Sequence, residues 1–94
     1  MSRIYKYPLT HGFTTLELPE GASIISVREQ HGKPYIWAVV DPDKPSAPRF
    51  FQMIATGQEF DDAIECYYKD TVLLAAGDLV YHVFELEEAP DDPQ

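Results

Sequence analysis

The chain is poor in what disulfide-stapled, membrane-spanning and phosphate-cradling proteins need. A single cysteine, Cys66, occurs in 94 residues, so no intrachain disulfide can form and a reducing compartment is the expected setting. No segment approaches the roughly 20 apolar residues that span a bilayer, and the stretch from Met1 to Pro8 holds no apolar run of signal-peptide length. We therefore expect a cytoplasmic protein with no membrane partner. The five glycines, Gly12, Gly21, Gly32, Gly57 and Gly77, never cluster, which removes the Gly-rich loops that wrap phosphates. Basic residues are scarce as well: seven Lys and Arg against sixteen Asp and Glu give a formal charge of −9. That balance repels phosphate backbones and anionic lipid, and direct nucleic-acid binding is not expected.

Catalytic signatures are equally thin. There is no Gly-x-Ser-x-Gly elbow, and Ser2, Ser23, Ser26 and Ser46 have no base beside them in sequence. His11, His31, His82 and Cys66 show no spacing that metal ligands use. Close carboxylates occur at Asp61-Asp62 and at Asp41 with Asp43, and such pairs can split their pKa values into an acid and a base. Acids beside turns serve more often as caps, so Asp61 or Asp62 is expected to cap a short helical turn within 58–64. The expectation is a protein that is not an enzyme and carries no cofactor or metal.

What the sequence does have is strand-forming material. Hydrophobic residues make up 45% and aromatics 13%, in one domain that buries only roughly 60–65% of its unfolded surface and leaves no room for a deep private cavity. Apolar residues alternate or run briefly, enriched in aromatic and β-branched types and cut by Gly or Pro about every ten residues, which is an all-β rhythm. Strands are predicted near 2–8, 13–18, 22–30, 33–41, 49–56, 65–74 and 78–86. The fold class that follows is a small antiparallel sandwich or open barrel of about seven short strands, with at most one short helix. The domain spans 1–86. Residues 87–94, with Glu87, Glu88, Asp91, Asp92 and two prolines, read as an acidic disordered tail. The three prolines of Asp41–Pro48 mark a loop.

Two hairpins can be drawn. His31-Gly32 suits a primed two-residue turn, because glycine takes a positive φ without steric cost. Paired numbers then sum to 63, so Val27 faces Ile36 and Ile25 faces Ala38 on a core side. On the other side Arg28 lies across from Tyr35, Ser26 from Trp37 and Ile24 from Val39. A second hairpin around Ala76-Gly77 sets Val72 across from Tyr81 and Leu74 across from Leu79. Large apolar residues on both of its faces predict cover on both sides, from a sandwich centre or a subunit interface.

The candidate binding residues are Arg28, Tyr35, Trp37 and Arg49. Tyr, Trp and Arg concentrate at protein interfaces, where rings offer rigid area and Arg adds directional contacts, although half-buried strands also favour tyrosine. The Arg28, Tyr35 and Trp37 face can hold a guanidinium over a ring, bind a planar ligand or meet another subunit.

Five stretches carry a resemblance: Ile4-Tyr5-Lys6-Tyr7-Pro8, Leu16–Ala22, His31–Pro42 with its Trp37-Ala38-Val39-Val40-Asp41-Pro42, Thr56-Gly57, and Tyr81-His82-Val83-Phe84-Glu85. In this order they resemble a family of short proteins of unknown function encoded by phages and prophages, over about residues 3–86. The resemblance implies a phage context and no assigned catalytic residues. Small phage proteins of this kind act on the host, including its anti-phage defences. The leading expectation is thus a non-catalytic binding protein that inhibits a host protein in the host cytoplasm, through Tyr35 and Trp37 with an acidic rim; the acidity also permits nucleic-acid mimicry. The alternative is a homo-oligomeric sponge that sequesters a small anionic ligand, such as a cyclic nucleotide, between subunits with Arg28 and Arg49. A homo-dimer or larger assembly is expected in either case.

Overall fold

Each predicted strand forms, and alternation decides which side chains face inward. A computed structural model of the chain describes residues 1–61 and 63–90. Its strands are β1 (Arg3–Pro8), β2 (Gly12–Pro19), β3 (Ser23–Gln30), β4 (Lys33–Val40), β5 (Ser46–Ala55), β6 (Cys66–Leu74) and β7 (Leu79–Leu86). They pair as two antiparallel sheets, β1-β4-β3 and β2-β5-β7-β6, which pack as a sandwich and do not close into a barrel. Successive side chains point to opposite faces, so Val27, Ile36, Ala38 and Val40 of the first sheet meet Leu16, Leu18, Phe51, Met53, Val72 and Val83 of the second in a buried core. Among the described residues no helix is long and apolar enough to cross a membrane.

The first hairpin has the predicted turn, with positive φ at both His31 and Gly32. Its register runs as predicted from Gln30↔Lys33 to Ser26↔Trp37 and then shifts, pairing Ile24 with Ala38 and Ser23 with Val39. The predicted pairs Ile25 with Ala38 and Ile24 with Val39 are therefore corrected. Ile25 is the extra residue of a β-bulge, which sends Ile24 inward against the core and leaves Ile25 exposed. The second hairpin keeps its predicted register from Leu74↔Leu79 to Asp70↔Val83 and then shifts at Lys69, so that Tyr68 pairs with Phe84. Its connection is a left-handed turn in which Ala75, Ala76 and Gly77 all have positive φ. Only one face of this hairpin is covered by the sandwich. Val72 and Val83 are buried on it, while Tyr68 and Leu73 on the other are exposed.

Two further expectations change. The loop at 41–48 ends at residue 45, because β5 begins at Ser46. Pro48 is tolerated in that strand because residues 46–49 pair only with β2, and β7 begins its pairing at Phe50, so one side of the strand asks for no donor there. No helix forms over the described part of 58–64; Asp61 instead accepts the Ala63 N–H at 2.9 Å in a local turn, and Asp62 lies outside the described residues. Of the tail, Glu87 donates its N–H to the Glu65 carbonyl at 2.9 Å, and residues 91–94 lie outside the described residues.

Candidate functional site: the outer face of the three-stranded sheet

The outer face of β1-β4-β3 is built by alternation. β1 contributes Ile4, Lys6 and Pro8, β4 contributes Lys33, Tyr35, Trp37 and Val39, and β3 contributes Ser26, Arg28 and Gln30, with Lys6 paired to Trp37 and Arg28 to Tyr35. The opposite side of the same strands is the core, so this face is open on the outside. Tyr35 and Trp37 are half-buried by their own neighbours and meet edge to face, ring centroids 5.9 Å apart. The Lys6 ammonium lies over the Tyr35 ring, 4.7 Å from its centroid, and hydrogen-bonds the Gln30 side-chain oxygen. One long side chain thus spans all three strands, from β1 across β4 to β3, and fixes the tyrosine ring.

The cation over Tyr35 is therefore Lys6 and not Arg28. Arg28 stands on the edge strand β3 and turns away over that edge. Its Nη1 donates to the Asp70 carboxylate at 2.7 Å and to the Val27 carbonyl at 2.8 Å. The same Asp70 oxygen accepts the Val27 N–H at 2.9 Å. Asp70 follows the Lys69 bulge of β6, and its carboxylate takes the place of a neighbouring strand's carbonyl, clasping the β3 edge of one sheet to the β6 edge of the other. Burial alone would raise the Asp70 carboxyl; the N–H groups of Val27 and Thr71 and the Arg28 charge outweigh it and hold it below its ordinary value.

Arg49 does not join the other three candidate residues. It lies on β5 in the space between the sheets, where Nε and Nη2 donate side-on to both oxygens of Glu85 on β7, at 2.7 and 2.8 Å. Nη1 donates to the Ala22 carbonyl. Lys69 adds a second cation 3.4 Å from Glu85. Burial pushes the Glu85 carboxyl up, but the hydrogen bonds and charge of Arg49, with Lys69 behind them, pull it below the usual range. Hydrogen bonding to Glu85 raises Arg49 against the opposing effect of burial. With its donors committed, Arg49 is a structural tie between β5, β7 and the start of β3.

The face has a charge signature that the sequence pattern alone does not display. Its charged side chains are Lys6, Arg28 and Lys33, and no carboxylate stands on it, although the chain as a whole carries −9. Among the described residues Lys6 and Lys33 form no ion pair. The face itself thus carries lysines and no acid, while the Asp70 carboxylate stands at its β3 edge. No three His, Cys, Asp or Glu side chains converge anywhere among the described residues. A depression of about 130 Å³ lies on the far sheet, lined by Phe13, Gln52, Asp61, Ala63, Ile64, Leu86 and Pro90.

His82, Thr56 and Thr71, which carried no site expectation, come together on that far sheet. His82 Nε2 shares a hydrogen bond with Thr56 Oγ1 at 2.8 Å, and Nδ1 shares one with Thr71 Oγ1 at 3.2 Å. The Tyr68 hydroxyl continues the chain to Thr71 at 2.7 Å. Both ring nitrogens of His82 are thereby satisfied within the sheet.

With the geometry in place, comparison with known proteins gives one relationship. The chain belongs to a family described as a domain of unknown function (DUF7352), which matches residues 1–93. No curated protein and no solved structure matches it.

Proposed function

We propose that this is a non-catalytic binding protein that inhibits a partner by covering its surface, and that the outer face of β1-β4-β3 is the surface it uses. The observation that carries this reading is the pairing of Tyr35 and Trp37 with Lys6 and Lys33, which form no ion pair among the described residues, on an open face of an acidic chain; Arg28 leaves that face over the β3 edge for Asp70. A flat strand face offers no cavity for a small ligand, whereas two held aromatic rings with a polar rim suit a protein interface. Charge complementarity selects a partner with an acidic patch around an apolar centre. At about 8 Å of screening length, the face and not the remote carboxylates governs the contact.

The phage-like sequence stretches favour a host protein as that partner, including a component of anti-phage defence, met in the host cytoplasm. The sponge alternative is less well supported, because Arg49 already spends its donors on Glu85 and Ala22. Immobilised protein is expected to capture a defined bacterial protein. Trp37→Ala and the double replacement Lys6→Glu/Lys33→Glu should each abolish capture without lowering the unfolding midpoint by more than a few degrees. Undiminished capture by both variants would remove the face from the function.

A further inference from the structure

The outer face of the four-stranded sheet is apolar around one amide. Phe51 and Met53 of β5 point into the core, so alternation turns Phe50, Gln52 and Ile54 to the other side. There Gln52 pairs with Phe13 of β2 and with Phe84 of β7. The connection between β5 and β6 crosses this face and brings Asp61 and Ile64 to the depression that Gln52 lines, and Pro90, beyond the end of β7, joins them. Gln52 is left 9% exposed, the one buried polar residue among those described.

The fold does not use its amide. No other described residue hydrogen-bonds the Gln52 side chain, and no side-chain nitrogen or oxygen among the described residues is both sealed from solvent and unpartnered. The amide therefore opens into the depression. A largely buried polar group without a protein partner costs stability, and a leucine at this position would complete the apolar surroundings without that cost. The amide offers two N–H donors beside a carbonyl acceptor.

We infer that the depression binds a free, single-ring nitrogen heterocycle, neutral or cationic, that presents an N–H donor next to an acceptor. Size limits the ligand first: an apolar cavity of about 150 Å³ holds one benzene, so a depression of about 130 Å³ takes one ring and not a fused pair. Phe13 and Leu86 from the sheet, with Ile64 and Pro90 from the segments beside it, give the ring apolar contact. The Gln52 amide sets the polar edge, since a glutamine side chain meets an adjacent donor and acceptor on a planar ring with two parallel hydrogen bonds. Asp61 sets the charge. One of its oxygens accepts the Ala63 N–H at 2.9 Å, and the other has no partner among the described residues. It can take a further N–H of the ligand and, with the net charge of −9, it repels anions. The site lies on the opposite sheet from Tyr35 and Trp37, so occupancy of one is independent of occupancy of the other.

Heteronuclear magnetic resonance of the isotopically labelled full chain tests this, with ortho-aminopyridine as the probe and toluene and benzoate as comparators of the same ring size. The pair of side-chain amide signals that Gln52→Leu removes belongs to Gln52. Millimolar ortho-aminopyridine should shift that pair together with the Phe13 and Ile64 backbone signals. Toluene, which forgoes two ordinary hydrogen bonds, should bind roughly tenfold more weakly, and benzoate more weakly still. Gln52→Leu should lose the preference for ortho-aminopyridine over toluene while its thermal midpoint is unchanged or higher. Unmoved Gln52 amide signals in the wild type, toluene or benzoate binding as tightly as ortho-aminopyridine, or a preference that survives Gln52→Leu would each overturn the inference.

Discussion

Arg49 and Glu85 meet side-on between the two sheets, with Nε 2.7 Å from one carboxylate oxygen and Nη2 2.8 Å from the other. The pair is mostly shielded, its side chains 23% and 16% exposed, so removing either partner leaves the other's charge uncompensated there. Replacing Arg49 with Met should cost about 2 kcal/mol, below the full penalty for a dry buried pair because solvent still reaches it. The double variant Arg49→Met/Glu85→Leu should recover much of that loss. Urea unfolding of the wild type, the two single variants and the double variant measures it, and simple additivity of the two replacements would show that the pair is not coupled.

The Asp70 clasp gives a pH dependence with a definite sign. Asp70 and Glu85 both have folded-state pKa values below their ordinary 3.8 and 4.5. A depressed carboxyl contributes stability that is present above its unfolded pKa and is lost as pH falls through the folded value. Thermal midpoints should therefore hold from neutral pH to about 5 and fall below about 4. Asp70→Asn should lower the midpoint at neutral pH and flatten the acid limb. An unchanged acid limb would mean that Asp70 contributes no folded-state pairing.

The turn between β6 and β7 places two alanines in the left-handed region, Ala75 at φ 51° and Ala76 at φ 55°. Each Cβ is crowded against backbone there, at roughly 1 kcal/mol, and glycine avoids the clash. Ala76→Gly should accordingly raise the thermal midpoint by a few degrees. A lower midpoint by calorimetry would show that the loss of backbone freedom on folding outweighs the relief.

These particulars also show how far local sequence reaches. The β3–β4 face was legible because His31-Gly32 fixes the turn and alternation then places Tyr35 and Trp37 together without tertiary knowledge. The bulges at Ile25 and Lys69 were not, since Ile24 and Ile25, or Tyr67 and Tyr68, are equally able to face the core and a local window does not say where the alternation slips. Long-range partners were hidden for a different reason. Asp70 lies 43 residues from Val27 and Glu85 lies 36 from Arg49, so nothing in a local window distinguishes an arginine that will be tied between sheets from one free to bind. Lys6 escaped for the same cause: its place over Tyr35 depends on β1 pairing with β4 across the intervening β2 and β3.

The central claim is that Lys6, Tyr35, Trp37 and Lys33 form the surface that meets an acidic protein. Its most direct test is an amide and indole shift map of the isotopically labelled chain, titrated with the protein it captures. The account predicts that the largest changes fall on the outward residues of β1, β4 and β3 and on the Trp37 indole, and that they vanish for Lys6→Glu/Lys33→Glu. Changes confined to β6 and β7, with the Trp37 indole unmoved, would contradict it.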